Sequence, residues 1–257
     1  MPVPTTFVTL PVQEPSGVAY HPQRGTLIVV SDQGQIVEMD LHLKVLQRLD
    51  VRGDLEGVSV HPATGTLFIA SKANNAVIEY DIDRHQILRT LVVNFKSHPD
   101  FAEGLTRNGG LEGVAVVTTS TGEYRLFAVV EADPARLVSL SEDVSARATE
   151  QAPNAAGADP LAGLTETVDV LTSHDLGLTR ISDIMFDVES RSLLVISAGE
   201  RVLRLSGLDG RVFRSIRLPG KKPEGICLVP NGDAVVVQDT GGLWICRNLH
   251  SSLFPRR

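Results

Sequence analysis

Short apolar runs separated by Gly, Pro, Asp and Asn dominate the chain: "TLIVVS" at 26–31, "TLFIAS" at 66–71, "LFAVVE" at 126–131, "LLVIS" at 193–197 and "AVVVQ" at 234–238. β-branched runs of this length, bounded by turn formers, read as strands, so the chain is all-β. The runs also belong to a repeat. "PSGVAYHPQRGTLIVVSDQGQIVEMD" from Pro15 aligns with "LEGVSVHPATGTLFIASKANNAVIEYD" from Leu55, and three more segments, opening at Leu111, Ile181 and Pro223, follow the same plan.

Each unit begins with a strand carrying a Gly near its start, or Asp183 at that position in the fourth unit, turns through a segment such as "HPQRG", "HPATG" or "VPNG", and continues into the apolar strand. Pro presets φ in these turns and Gly or Asn supplies φ > 0, which marks a reused hairpin. A third strand follows ("QIVEMDL", "AVIEYDI"), and a fourth in most units ("KVLQRLDV", "QILRTLVV", "ETVDVLT", "RVFRSIRL"). The last unit lacks a fourth strand, and the unpaired "TTFVTLPV" at the start of the chain can supply it. Four-stranded sheets repeated radially are the propeller plan. The expectation is a single domain over 1–257: a five-bladed β-propeller of four-stranded antiparallel blades, its ring closed by the N-terminal strand in the last blade. Two interruptions stretch the repeat, "NFKSHPDFAEGLTRNG" before blade three and the Ala, Gly and Pro-rich "SARATEQAPNAAGADPLAG" inside it. The second, about 145–163, reads as a surface loop.

In a propeller the first strand of each blade lines the axis, so one fixed position recurs around the channel. The residue before the Gly position reads Ser16, Glu56, Glu112, Ser182, Glu224. Two like charges ~4 Å apart repel by about 4 kcal/mol at an effective dielectric near 20, so three carboxylates need compensation. Protonation is one answer, a hard cation with oxygen ligands such as Ca2+ is another, and separate capping of backbone N–H groups on neighbouring blades is a third. No His or Cys occupies the ring, which disfavours zinc or copper.

Composition narrows the partners. With 31 acidic against 24 basic residues the net charge is −7, which argues against nucleic acid and favours cations or basic partners. No stretch approaches the roughly 20 apolar residues of a membrane span. The opening residues lack a secretory signal, so the chain as written reads as cytoplasmic or already trimmed; a monomer is expected. Cys227 and Cys246 fall on the first and third strands of one sheet, about 9.6 Å apart, beyond the ~7 Å a disulfide bridges. They read as free, buried thiols.

The Ser, Glu, Glu, Ser, Glu series, "IVEMD" in blade one, "GLEGVA" followed by a strand ending at Glu131 of "EADP", and "PEGI" in the last blade together resemble the SdiA-regulated family of bacterial propellers. The resemblance spans about residues 14 to 247. It implies a five-bladed propeller, distantly similar to NHL-repeat proteins, that carries calcium, has no firm enzymatic activity and is expected in the periplasm or cell envelope. Carried over by position, the metal-ligand candidates are Glu56, Glu112, Glu131 and Glu224. The chain departs from the family where Lys72 and Ala73 stand in place of Asp-Glu, where Ala198 and Gly199 stand in place of a usual Glu, and where Asp183 replaces a Gly.

These readings favour a calcium-bearing module that binds a protein or small ligand, with no catalytic residue assigned. The alternative is a metal-dependent lactonase or esterase-like hydrolase with calcium in the channel, which would also need Asn and Asp ligands. Asn74 and Asn75 fall in a loop between outer strands, and His21 and His61, in the first hairpin turns, read as solvated. There is no G-x-S-x-G elbow, and Ser31, Ser71 and Ser197 recur as parts of the repeat.

Overall fold

The apolar runs are unbroken because each is buried on both faces. In the strand Thr26–Ser31, Leu27 and Val29 join an apolar cluster with Cys227, Val235 and Val237, whereas Ile28 and Val30 join another with Leu55, Leu67 and Ile69. A strand with one wet face would alternate; one enclosed between two sheets has no face for polar side chains. The outermost strand of the same unit, Val45–Asp50, does alternate between half-buried and exposed positions.

The computed structural model describes residues 5–106, 109–143 and 164–254, and the low-complexity segment at about 145–163 lies outside them. Strand β1 is Thr5–Thr9. The first unit comprises β2 (Pro15–His21), β3 (Thr26–Ser31), β4 (Gln35–Met39) and β5 (Val45–Asp50). The second comprises β6 (Leu55–Val60), β7 (Leu67–Ser71), β8 (Ala76–Asp81) and β9 (Gln86–Asn94). The third comprises β10 (Gly110–Thr118), β11 (Tyr124–Glu131), β12 (Arg136–Asp143) and β13 (Leu164–Asp175). The fourth comprises β14 (Ile181–Asp187), β15 (Ser192–Ser197), β16 (Val202–Ser206) and β17 (Val212–Arg217). The last has β18 (Pro223–Leu228), β19 (Ala234–Gln238) and β20 (Gly242–Cys246), followed by the short helix α1 (Leu249–Leu253). As the sequence predicts, β1 supplies its fourth strand, with Thr5 opposite Cys246 and Thr9 opposite Gly242. Both cysteines are free and buried.

The sheets differ from the expected plan at one seam. Three are four-stranded, but the second and third units form a single eight-stranded sheet because β9 and β13 pair in parallel, from Arg89 opposite Leu164 to Asn94 opposite Asp169. Both strands are long, at 9 and 12 residues, so their outer edges meet and satisfy one another. Buried Arg89 fastens the seam, with Nε 2.5 Å from Glu79 Oε2 and Nη1 2.6 Å from Glu142 Oε1.

Five apolar clusters each combine side chains of two successive units, the last unit packing on the first. The first strands β2, β6, β10, β14 and β18 touch in that order and β18 returns to β2. Their contact is backbone to backbone. A Cβ on Gly57 would stand 2.6 Å from the Gly113 Cα, and one on Gly225 would stand 2.8 Å from the Gly17 Cα. The fifth position is Asp183, whose carboxylate fills the space that the missing side chains leave; its Oδ2 accepts from the Ile226 N–H at 3.0 Å.

His21 and His61 are not solvated, as their turn positions suggested, but buried at 2% and 1% exposure. The turns of consecutive units press together, so each histidine contacts its neighbour. His21 Nε2 lies 3.0 Å from the Gly65 carbonyl oxygen. The His61 ring stacks at 4.4 Å on Tyr124, while its Nδ1 accepts from the N–H groups of Ala63 and Thr64.

Gly225→Ala, which would favour extended backbone elsewhere, is expected to destabilise by about 1–3 kcal/mol because only backbone stands in its way; an unchanged urea midpoint would show slack in the ring. Burial lowers the His21 pKa from 6.5, so the unfolded chain binds the proton first and stability present above that value is lost as pH falls through it. His21→Asn is therefore expected to flatten the loss of stability between about pH 7.5 and pH 5, as read from urea unfolding across that range; identical slopes would exclude His21 as the source.

Candidate functional site

A β-bulge recurs at the same point of every first strand. Pairing with the second strand slips between Pro15 and Gly17, Leu55 and Val58, Leu111 and Gly113, Ile181 and Asp183, and Pro223 and Gly225. The residues left out of the ladder include Ser16, Glu56, Glu112, Ser182 and Glu224. A bulge re-aims the side chain it releases, and all five residues line one cavity of about 350 Å³ at the mouth of the central ring. Glu131, the last residue of β11, lines it too, so the four acidic residues singled out in the sequence meet at one place. The two hydroxyls tie neighbouring first strands together: Ser16 Oγ donates to the Leu55 carbonyl, and Ser182 Oγ donates to the Pro223 carbonyl at 2.9 Å.

The strand register reveals a second ring around the same mouth. Pro15, Leu55, Ile181 and Pro223 pair with Ser31, Ser71, Ser197 and Gln238, and Leu111 pairs with Val130. The next residues are Asp32, Lys72, Ala198, Asp239 and Glu131, and every one of them lines the cavity. Asp32 and Asp239 are site residues that the Glu-Gly motif does not mark; their signal is the position one past each second strand. Asp54, two residues before Glu56, is a third.

Charges in the mouth are unevenly matched. The Lys72 ammonium contacts Glu112 Oε1 and lies 3.0 Å from Glu131 Oε2. Lys222 contacts Asp239. Among the described residues, Asp32, Asp54, Glu56 and Glu224 have no such ion pair. Instead Asp32, Asp54 and Glu56 each bring an oxygen within 4.8 Å of the others.

The protonation equilibria follow this layout. Burial, followed by repulsion from Asp32 and Asp54, pushes the Glu56 carboxyl up to about 8. Burial and then Asp239 push Glu224 up to about 7. Burial also raises Asp32 and Asp54. Burial and Glu56 raise Glu112 while Lys72 pulls against them. For Lys72, burial would lower the ammonium, but contact with Glu112 and Glu131 outweighs it and holds the group above its ordinary range. Below the ring, burial drives Asp183 well above the usual carboxylate range, against the Ile226 and Ile184 N–H groups, and its Oδ1 has no hydrogen-bond partner.

Chemically the mouth is an oxygen-donor basin with no His or Cys among its lining residues. Neither Asn74 nor Asn75 lines it. The opposite end of the ring is different, a depression of about 230 Å³ lined mostly by apolar residues such as Val18, Val58, Val116 and Val188. Among the described residues no helix is long and apolar enough to cross a membrane.

Solved structures resemble this architecture. A gluconolactonase from Xanthomonas campestris, XC5397, matches with a TM-score of 0.54 and 12% identity over 94% of this chain and 89% of that one. The β-propeller domain of Cps50 (Swd1) from Myceliophteria thermophila matches with a TM-score of 0.50 and 13% identity over 93% and 99%. A streptogramin B lyase reaches a TM-score of 0.45 at 11% identity over 91% of this chain, which spans 66% of that one. At such identities the likeness to the first two establishes the β-propeller fold alone and carries no activity with it. No curated protein sequence matches the chain. The sequence model of one family matches residues 8–253, nearly the whole length over which the repeat, the bulges and the acidic mouth have been traced, and the chain belongs to that family, the SdiA-regulated family.

Proposed function

We propose that this protein is a five-bladed propeller whose acidic mouth takes calcium and serves as a module that binds a protein or small ligand rather than as a catalyst. Five blades follow if the eight-stranded sheet counts as two, since both β6 and β10 reach the axis as first strands. The observation that carries the calcium reading is the convergence of Asp32, Asp54 and Glu56 within 4.8 Å without an ion-pairing side chain. Carboxylate oxygens crowded in this way suit a hard cation that accepts six to eight oxygen ligands in loose geometry. Asp32, Asp54 and Glu56 would hold the ion, with Glu224 on the same unpaired side of the mouth. Glu112 and Glu131 fit the same ion less well, because Lys72 already contacts both. Bound there, calcium would supply positive charge to a surface that otherwise repels anions.

Calcium is expected to raise the melting temperature relative to chelator by several degrees, as mass action requires for a ligand in excess of its Kd. Glu56→Gln removes a converging oxygen charge and is expected to abolish most of that shift. Melting curves that coincide in calcium and in chelator would refute the reading.

A second reading has one observation in its favour. Glu56 and Glu224 are held at about 8 and about 7 in a 350 Å³ cavity, near the working pH that suits a general base. A calcium-dependent lactonase or esterase would then turn over lactones or aryl esters, and Glu56→Gln would lower kcat by at least about 100-fold. Inactivity of the calcium-loaded protein across a broad panel of both substrate classes leaves the binding module as the function.

A further inference from the structure

We propose that Lys72 is the resident cation of one half of the mouth: its tethered ammonium takes the place between Glu112 and Glu131 where a divalent ion would otherwise bridge them, and so confines metal to the side of Asp32, Asp54 and Glu56.

The position of Lys72 carries the argument. It stands one residue past the end of β7, at the point where the other units place Asp32, Glu131, Ala198 and Asp239. Three of those four are carboxylates, so the position faces the basin, and a lysine there delivers its charge into it. Lys72 belongs to the second unit, but both carboxylates it meets belong to the third, Glu112 from the β10 bulge and Glu131 from the end of β11. It therefore bridges two units, as an ion bound between them would.

The two kinds of cation are not equivalent. An ammonium offers three donors and no coordination position for an outside ligand, whereas calcium accepts six to eight oxygens, including those of water or a partner. One positive charge also compensates only half of the two carboxylates. Glu112 is only 6% exposed, so removing Lys72 leaves a buried carboxyl that must take up either a proton or another cation. On this view Lys72 closes a second metal position while keeping the fold independent of metal there.

The inference rests on the calcium reading only for the Asp32 side, and the test separates the two. Calcium binding is measured by titration calorimetry for the wild-type chain, Lys72→Met, Lys72→Arg and the double variant Lys72→Met/Glu112→Gln. Lys72→Met preserves the length of the side chain without its charge, and is expected to bind one more calcium than the wild type or to bind at least about tenfold more tightly. Lys72→Arg retains a cation and is expected to match the wild type, while the double variant is expected to lose the gain. A wild type that binds nothing beside a Lys72→Met that binds one ion would uphold this inference and refute the calcium reading. Equal stoichiometry and affinity in the two would overturn the inference and leave that reading standing, and binding by neither would overturn both. Should Lys72→Met fail to fold alone, recovery in calcium supports the proposal, and recovery only through Glu112→Gln overturns it.

Discussion

The molecule depends on backbone meeting backbone at its axis. Gly17, Gly57, Gly113 and Gly225 let four first strands approach to distances that no Cβ would allow, and Asp183 fills the remaining space with a carboxyl that accepts from the Ile226 N–H. A bulge stands beside each of these positions, so the radial closeness is transmitted to the side chains released there. The glycines thus set how far apart Glu56, Glu112 and Glu224 can be, even though they contribute no chemistry themselves.

Closeness of like charges then has to be relieved, and the protein does so by different means in different places. Ser16 and Ser182 carry no charge and stitch neighbouring first strands through carbonyl oxygens. Lys72 and Lys222 neutralise parts of the wall. Glu56 and Glu224 keep their protons toward neutral pH, and a bound cation would displace them. The mouth is consequently asymmetric although the repeat that builds it is regular. That asymmetry, together with the apolar depression at the other end of the ring, gives the two faces different chemistry.

A shared fold does not settle what that chemistry serves. Propellers host catalysis and recognition alike, and likenesses at 12–13% identity transmit only the architecture. What distinguishes this chain is local: an oxygen-rich basin whose lining contains no imidazole or thiol, with its unpaired carboxylates gathered on one side and a lysine set against the other.

Much of this was legible in the sequence because it is periodic. The repeat beginning at Pro15 and Leu55 located the hairpins, the missing fourth strand in the last unit pointed to "TTFVTLPV", and the recurring residue before Gly placed Glu56, Glu112 and Glu224 at equivalent sites. Strand spacing alone kept Cys227 and Cys246 apart. Periodicity reports which residues occupy like positions, but not which unlike residues face each other across two units. The contact of Lys72 with Glu112 and Glu131, the meeting of Asp32 with Asp54 and Glu56, the burial of His21 beneath the turn at Gly65, and the parallel joining of β9 to β13 all arise between sheets. They were decided by the radial packing of whole sheets, because the distance between two side chains on different units is fixed by how closely their strands converge, and no local stretch of sequence contains that quantity.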